Sequence, residues 1–132
     1  DSFYWDLTDG TRAFTERFHP QNRGIRPTQI HAGTYSAVLH YLKAVESLGV
    51  AEAKANGAAV VRRMKEIPTD DPLFGRGEVR ADGRKIHDMH LFQVKAPEES
   101  RGPWDYYKRL RSIPAAQAFR PMADGGCAMV RT

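Results

Sequence analysis

The chain contains 132 residues, of which 41% are hydrophobic and 27% are charged. This balance is that of a globular protein and excludes an intrinsically disordered one. The sequence has no uninterrupted apolar run of the ~20 residues that a membrane-spanning helix requires. Its net charge of +4 comes from basic residues scattered among acids, a pattern that favours solvated surfaces over a nucleic-acid interface.

Two amphipathic helices of moderate length are predicted in the first half of the chain. The first begins at a capping residue, Thr8 or Asp9, and continues to about Asn22. The other spans about Ala51–Glu66, where apolar residues recur at helical spacing until Pro68 ends the helix. Each of these helices presents one apolar face.

The longest helix is predicted between them, over Gln29–Leu48, with Gly49 following at the position of a C-terminal cap. Apolar side chains recur along one face of this helix at intervals of three and four residues. This apolar stripe consists of Tyr35, Val38, Leu39, Leu42 and Val45. A stripe of this length requires burial against something large.

The second half of the chain alternates loops with extended segments. Thr69–Arg76 is polar and contains proline and glycine, which predicts a loop. The Asp82-Gly83 pair between residues 78–80 and Lys85–Lys95 predicts a β-hairpin. The second arm of the hairpin is apolar on both sides, which is typical of a buried strand.

A polar loop is predicted over Pro97–Pro103, a further strand over Trp104–Ile113, and a short helix with a coil tail over Pro114–Thr132. The apolar faces of the three helices thus exceed the area that two or three strands can cover. A complete α/β domain has about five strands in alternation with its helices. We therefore expect these helices to cover a sheet whose strands lie mostly outside this chain.

The sequence contains no motif for catalysis or cofactor binding, so we expect a protein that is not an enzyme. His87 and His90 stand three residues apart on a predicted strand and point to opposite faces, which disfavours a shared metal ion. Cys127 is the single cysteine, with no histidine near it in sequence to activate it. No metal site and no cofactor are predicted.

Aromatic residues are the more informative candidates for a functional site. Tyr4 and Trp5 lie beside Asp6 at the start of the chain, and Tyr35 lies near the start of the long helix. An aromatic ring with a polar tip suits the wall of a ligand cleft, although packing in a core is an equal alternative for Tyr35. Packing is favoured for three aromatic residues of the last strand: Trp104, Tyr106 and Tyr107.

Five segments, in their order along the chain, carry a family resemblance. They read FYWDLTDGTRAFTERF, HAGTYSAVLHYLKAVESLG, VVRRMKEIPTDD, GEVRADGRKIHDMHLFQVKAPEESRGPWDYYK and SIPAAQAFRPM. Together they resemble the C-terminal third of the branched-chain amino-acid-type periplasmic solute-binding proteins of ABC transporters. The resemblance implies a C-terminal fragment of the two-lobed, α/β type I fold, with three helices, a β-hairpin, a further strand and a tail.

The resemblance also implies how the chain is divided between the two lobes. Residues 1–6 would form a hinge or crossover, residues 7–95 part of the N-terminal lobe, residues 96–103 another crossover, and residues 104–132 the return to the C-terminal lobe. Related proteins have a cleft-facing aromatic residue where this chain has Tyr35. Tyr4, Trp5 and Asp6 are further candidates at the edge that faces the hinge.

The function implied by the resemblance is periplasmic capture of a small solute between the lobes and its delivery to an ABC permease. The solute would be an amino acid, an amide or an aromatic acid. A ligand-sensing regulatory domain of the same fold remains an alternative, as does a small basic nucleic-acid-binding domain. Because the apolar helix faces lack partners in this chain, we also expect the chain alone to self-associate.

Overall fold

A computed structural model describes residues 1–128 and Val130, so the end of the predicted tail lies outside the described residues. The helices in chain order are α1 (Asp9–Phe18), α2 (Gln29–Leu48), α3 (Val50–Ala55), α4 (Gly57–Glu66) and α5 (Ala115–Ala118). Short 3₁₀ turns occupy His19–Gln21, Pro97–Glu99 and Met122–Gly125. Within the described part of the chain, none of the helices has the length and apolarity needed to traverse a bilayer.

The first helix begins where its capping pattern predicts. The Thr11 amide donates to the Thr8 hydroxyl oxygen at 3.2 Å, and the Thr8 amide donates to the Thr11 hydroxyl oxygen at 2.9 Å. This reciprocal pair satisfies two backbone donors at the helix terminus. The helix ends at Phe18, and the 3₁₀ turn carries the chain to Gln21, close to the predicted end.

The long helix α2 has the predicted bounds, and Gly49 follows it with a φ of 85°. The face that is buried within this chain, however, is not the predicted stripe. It consists of Ala32, Ser36, His40 and Ala44. These small and polar residues allow close packing, whereas Val38 is 52% exposed and Leu42 is 53% exposed. Val38 and Leu42 therefore lie on the outer side of the helix, whereas Tyr35 and Val45 are partly buried against the core.

The third predicted helix is interrupted at Asn56, so the prediction of one continuous helix was wrong. Asn56 has a non-helical φ of −141°, and its side-chain oxygen accepts a hydrogen bond from the Ala59 amide at 3.1 Å. This side chain caps α4, and the interruption turns the chain between α3 and α4. In α4, Val60 is buried while Val61 is 52% exposed.

The strands form two small antiparallel sheets. They are β1 (Thr69–Asp71), β2 (Gly75–Val79), β3 (Lys85–Ile86), β4 (Met89–Val94) and β5 (Tyr107–Ile113). The strand order is β1-β2-β3 in one sheet, and β4 pairs with β5 in the other. The prediction of a loop over residues 69–76 was wrong, because β1 turns directly into β2 there and Asp71 pairs with Gly75.

The predicted Asp82-Gly83 turn is confirmed, and it joins β2 to β3 with Val79 opposite Lys85. Gly83 has a φ of 83°, which such a turn requires. The predicted second arm is divided into β3 and β4, and β4 is not a buried strand. Val94 of β4 is 68% exposed, since the two-stranded sheet has no layer over that side.

Two apolar clusters form the core. One contains Phe3, Phe14, Ala32 and Leu73 and joins the first residues of the chain to α1 and α2. The other contains Ala44, Ala53 and Val60 and joins α2, α3 and α4. The start of the chain is thus anchored in the core, which fixes the position of the residues that follow Phe3.

A buried polar network connects α2 to the three-stranded sheet. Asp71 Oδ2 accepts hydrogen bonds from Ser36 Oγ at 2.6 Å and from Lys85 Nζ at 3.0 Å, and Lys85 Nζ also donates to Ser36 Oγ. Asp71 Oδ1 accepts from the amides of Leu73 and Phe74, each at 2.9 Å. Burial acts to raise the pKa of the Asp71 carboxyl, but these hydrogen bonds outweigh it and hold the pKa below the usual 3.8.

We predict that Asp71→Asn lowers the free energy of unfolding at pH 7 by about 2 kcal/mol, because it removes charge-assisted hydrogen bonds at a buried position. Asp71 has a depressed pKa in the folded chain, so its contribution is present above the unfolded-state pKa and is lost as the pH falls through the folded-state pKa. The difference between the wild type and the variant should therefore narrow below about pH 3.8.

Chemical denaturation of the wild type and the variant at pH 7 and at pH 3 measures the difference in their free energies of unfolding at each pH. Asp70→Asn is the matched control, because Asp70 is adjacent and exposed. A difference between the wild type and Asp71→Asn that is as large at pH 3 as at pH 7 would contradict the assigned role of the carboxylate.

Candidate functional site

The first residues of the chain bring an aromatic pair beside the second sheet. The Asp1 amine donates to the His90 carbonyl oxygen at 2.9 Å, and the His90 amide donates to the Asp1 carbonyl oxygen at 2.7 Å. Phe3 is buried, with its ring edge-on to Phe14 at a centroid distance of 6.5 Å. With residues 1 and 3 held in this way, Tyr4 is fixed against β4 and β5.

The Trp104 carbonyl oxygen ties this segment to the loop before β5. It accepts hydrogen bonds from the Tyr4 hydroxyl at 2.7 Å and from Trp5 Nε1 at 2.8 Å. The Tyr4 oxygen in turn accepts from the Tyr106 amide at 3.1 Å. Trp104 has a φ of 71°, a conformation that a bulky residue rarely adopts. This backbone geometry aims one carbonyl at two aromatic donors.

These residues enclose a cavity of about 240 Å³, which we call the aromatic cavity. Its apolar walls are Phe3, Tyr4, Trp5, Trp104, Tyr106 and Tyr107. Its polar walls include Asp1, Arg26 and Gln29, the last at the start of α2. The Arg26 guanidinium carbon lies 4.8 Å from the centroid of the Trp5 ring, within the range of a cation–π contact.

Asp6 faces an adjacent, more polar groove of about 390 Å³, which Trp5 and Asp105 also line. The Asp6 carboxylate is paired with Arg12 at 2.9 Å. Lys95 Nζ donates to Asp105 at 2.5 Å, and this bond holds the pKa of the Asp105 carboxyl below its usual value. The groove therefore contains both signs of charge in existing ion pairs.

Tyr35 lies apart from the other three predicted site residues. Its ring packs on Phe14 at a centroid distance of 5.1 Å, and it borders a shallow groove with Arg17 and Gln21. The structure therefore brings Tyr4, Trp5 and Asp6 into one region, whereas Tyr35 lines a different groove. The role of each of these residues in binding stays a prediction.

The two histidines considered as metal ligands have other contacts. The His87 ring lies 4.9 Å from Phe74, and burial holds its pKa below the usual value. His90 Nδ1 is 3.0 Å from Ser112 Oγ. Across residues 1–128 and 130, no group of three or more potential ligand side chains is arranged to hold a metal ion.

Sequence reasoning missed Arg26 and the acceptor role of Trp104. A loop arginine is usually solvated, so the residue type alone does not mark Arg26 as part of a site. Its position directly before Pro27 and the helix cap Thr28 was the available signal, because a residue there lies close to the helix N-terminus. The Trp104 carbonyl was not predictable, since a main-chain atom leaves no signature in the side-chain sequence.

The sequence and the fold are similar to those of known proteins. A sequence model of the periplasmic binding protein family matches residues 1–102. A search of curated proteins found no match.

Solved structures of bacterial binding proteins resemble this chain over almost its whole length. A periplasmic binding protein from Burkholderia mallei is 37% identical, with a TM-score of 0.88, over 99% of this chain and 33% of the other. A branched chain amino acid ABC transporter periplasmic ligand-binding protein from Burkholderia xenovorans LB400 is 42% identical, with a TM-score of 0.86, over 97% of this chain and 33% of the other.

A third structure supports the fold alone. It is an amino acid ABC transporter substrate-binding protein from Pseudomonas fluorescens Pf-5, 21% identical with a TM-score of 0.69 over 96% of this chain and 32% of the other. The chain thus spans about a third of the length of each solved structure that it matches.

The shared acceptor at Trp104 yields a prediction about stability. Tyr4→Phe should lower the free energy of unfolding by about 2 kcal/mol, because it removes two hydrogen bonds, and Trp5→Phe by about 1 kcal/mol, because it removes one. The double variant should cost more than the sum of the two, since it leaves the Trp104 carbonyl without either aromatic donor. Denaturant unfolding of the four proteins in the cycle measures this coupling.

Tyr41→Phe is the matched control, because Tyr41 is exposed on α2 and 46% accessible. It should leave the free energy of unfolding within about 0.5 kcal/mol of the wild type. Strictly additive effects of Tyr4→Phe and Trp5→Phe would show that the two donors do not depend on one acceptor.

Proposed function

This chain belongs to the periplasmic binding protein family, and we infer from that membership that it supplies part of a solute-binding protein serving an ABC uptake transporter. The family resemblance found in the sequence is confirmed. The predicted fold class is confirmed too, since the mixed helix and sheet architecture matches two binding-protein chains that are about three times longer. The homologues are binding proteins of transporters rather than enzymes, which supports capture and release as the activity.

The observation that carries the proposal is the aromatic cavity, formed where two distant segments of the chain meet. Residues 1–6 and 96–103 are the proposed crossovers between lobes, with residues 7–95 in one lobe and residues 104–132 in the other. The hydrogen bonds of Tyr4 and Trp5 to Trp104 support a hinge here, because they join one of these segments to the residue that directly follows the other. Closure about such a hinge would bury a solute between lobes.

The proposed solute is small and carries an apolar or ring portion, which includes amino acids, amides and aromatic acids. Tyr4 and Trp5 would line its site near the hinge, with Asp6 beside them and Tyr35 further along the lobe. The ring surfaces in the aromatic cavity support this choice, since aromatic walls with a few polar groups are typical of small-molecule sites. In the periplasm, the closed protein would deliver the solute to a membrane permease.

The outer face of α2 supports the proposal that this chain is one part of a larger fold. Ile30 is 79% exposed, and Val38 and Leu42 are each more than 50% exposed. Exposed apolar patches of this kind mark surfaces that another element covers. In the complete binding protein this element would be the main sheet of the lobe. In the chain alone, it would be a second copy.

We predict that the full-length protein containing this chain binds at least one amino acid, amide or aromatic acid. Bound solute stabilises the folded state by mass action, so a thermal-shift screen detects it as a rise in Tm, by several degrees once the concentration is ~100-fold above Kd. Nucleotides and metal ions are the control compounds. A screen in which none of the three solute classes raises Tm would contradict the proposed function.

We predict that the 132-residue chain by itself forms dimers or larger assemblies through the outer face of α2. The double substitution Val38→Asp and Leu42→Lys should weaken this association at least about tenfold, because it replaces apolar contact area by charge. Sedimentation velocity over a range of concentrations measures the association.

A charge-matched double variant of exposed positions outside this face, Ala55→Lys and Ala58→Asp, is the control and should associate like the wild type. A wild-type chain that sediments as a monomer at every concentration would remove the prediction.

A further inference from the structure

We propose that the aromatic cavity selects a ring-bearing carboxylate, with the ring against the aromatic walls and the carboxylate facing Arg26. This inference rests on the proposed solute-binding function and narrows it to one class of solute. Some polar groups of the cavity already form hydrogen bonds within the chain, and others keep donors that a ligand can use. The inference rests on this difference.

The polar tips of two aromatic walls, Tyr4 and Trp5, are engaged. The Tyr4 hydroxyl and Trp5 Nε1 both donate to the Trp104 carbonyl oxygen, and the Tyr4 oxygen accepts from the Tyr106 amide. These rings therefore offer apolar surface rather than hydrogen bonds to a solute. Tyr4 and Tyr107 meet edge to face at 5.5 Å, which leaves ring faces and edges to enclose a further planar group.

Arg26 retains unused donors. Its contacts are one long ion pair from Nη1 to the largely exposed Glu16 carboxylate at 3.4 Å and the stacking of its guanidinium over Trp5 at 4.8 Å. Arg26 Nε also has no hydrogen-bond partner among the described residues, but it is buried and exposes no surface, so the Nη groups are the donors that a solute would reach. A guanidinium has five N–H donors in a planar fork, which matches the two oxygens of a carboxylate. The position of this fork on the wall of an aromatic cavity favours an anionic group there.

Two other polar residues of the cavity, Asp1 and Gln29, each accept hydrogen bonds from the backbone through one oxygen. Asp1 Oδ1 accepts from the amides of Ser2 at 2.7 Å and Phe3 at 3.3 Å, and Gln29 Oε1 accepts from the Ser2 amide at 3.1 Å. Both residues are exposed, whereas Arg26 is partly buried. The N-terminus of α2 adds a partial positive charge to the same side of the cavity. The less solvated charge is therefore the Arg26 cation, and it favours a solute with a carboxylate over one with an ammonium group.

The size of the cavity suits one ring. Its volume of about 240 Å³ lies below the ~300–1,000 Å³ of complete small-molecule pockets. In the proposed full-length protein, the second lobe would supply the remaining wall. A monocyclic acid fits within such a space, whereas a larger solute would extend beyond the cavity.

The test compares three probes that differ in charge but share a benzene ring: benzoate, benzamide and benzylamine. Isothermal titration of the full-length protein should give the lowest Kd for benzoate, about tenfold or more below that for benzamide. Arg26→Gln should raise the Kd for benzoate about tenfold or more while changing the Kd for benzamide less than about twofold. Arg26→Lys, which keeps the charge and loses the fork, should lie between the two.

Arg62→Gln is the matched control, because Arg62 is exposed on α4 and away from the cavity. Circular dichroism and the unfolding midpoint establish that each variant is folded. Tighter binding of benzylamine than of benzoate would overturn the inference, as would an unchanged Kd for benzoate in folded Arg26→Gln.

The outcomes separate this inference from the proposed function. Binding of an amino acid or amide that Arg26→Gln leaves unchanged would keep the solute-binding function and overturn the carboxylate assignment. Failure of all amino acids, amides and aromatic acids to bind the wild-type protein would overturn both.

Discussion

The carboxylate of Asp71 is the point at which the helices and the three-stranded sheet are joined. It accepts hydrogen bonds from a helix residue, Ser36, from a strand residue, Lys85, and from two amides of its own turn. These four donors compensate for the desolvation cost of burying the carboxylate, whereas a single ion pair would not. The position of α2 relative to the sheet follows from this network, and the N-terminus of α2 forms one wall of the aromatic cavity.

The cavity depends on a second set of contacts that spans most of the chain. Phe3 fixes the first segment in the core, and the backbone pairing of Asp1 with His90 aligns it with β4. Trp104 then brings the loop before β5 onto the same segment. Both sides of the cavity are therefore held by contacts between residues about 90–100 positions apart in sequence. A site of this kind exists only when both segments are in place.

Local signals predicted the elements whose ends are set by neighbouring residues. Short-range chemistry made three features predictable from the sequence: the bounds of α2, the cap at Thr8 and the turn at Gly83. Asn56 was misread, because its cap interrupts a pattern that remains periodic on both sides. The strand β1 was missed because three residues carry no pattern of their own, and pairing with β2 alone makes them a strand.

The prediction that β4 is a buried strand failed for a different reason, whereas the exposure of Val38 agrees with the expectation that the apolar stripe lacks a partner within this chain. Side chains such as Val38 and Val94 are apolar, yet they are exposed, because burial is a property of the complete fold and this chain spans a third of its relatives. For the candidate site, the sequence identified Tyr4 and Trp5 as aromatic residues suited to a cleft. It could not identify Arg26, whose role depends on the ring that it covers.

The use of a main-chain oxygen at Trp104 has a consequence for how this region tolerates variation. Any residue at position 104 presents the same acceptor, and glycine would adopt the observed φ of 71° with less strain than tryptophan. Drift at position 104 would thus preserve the contact, whereas the donors at positions 4 and 5 have few isosteric replacements. A protein with a different residue at position 104 can therefore keep the same contact. The contact would be recognised from the two aromatic donors at positions 4 and 5 rather than from the residue whose carbonyl oxygen they bind.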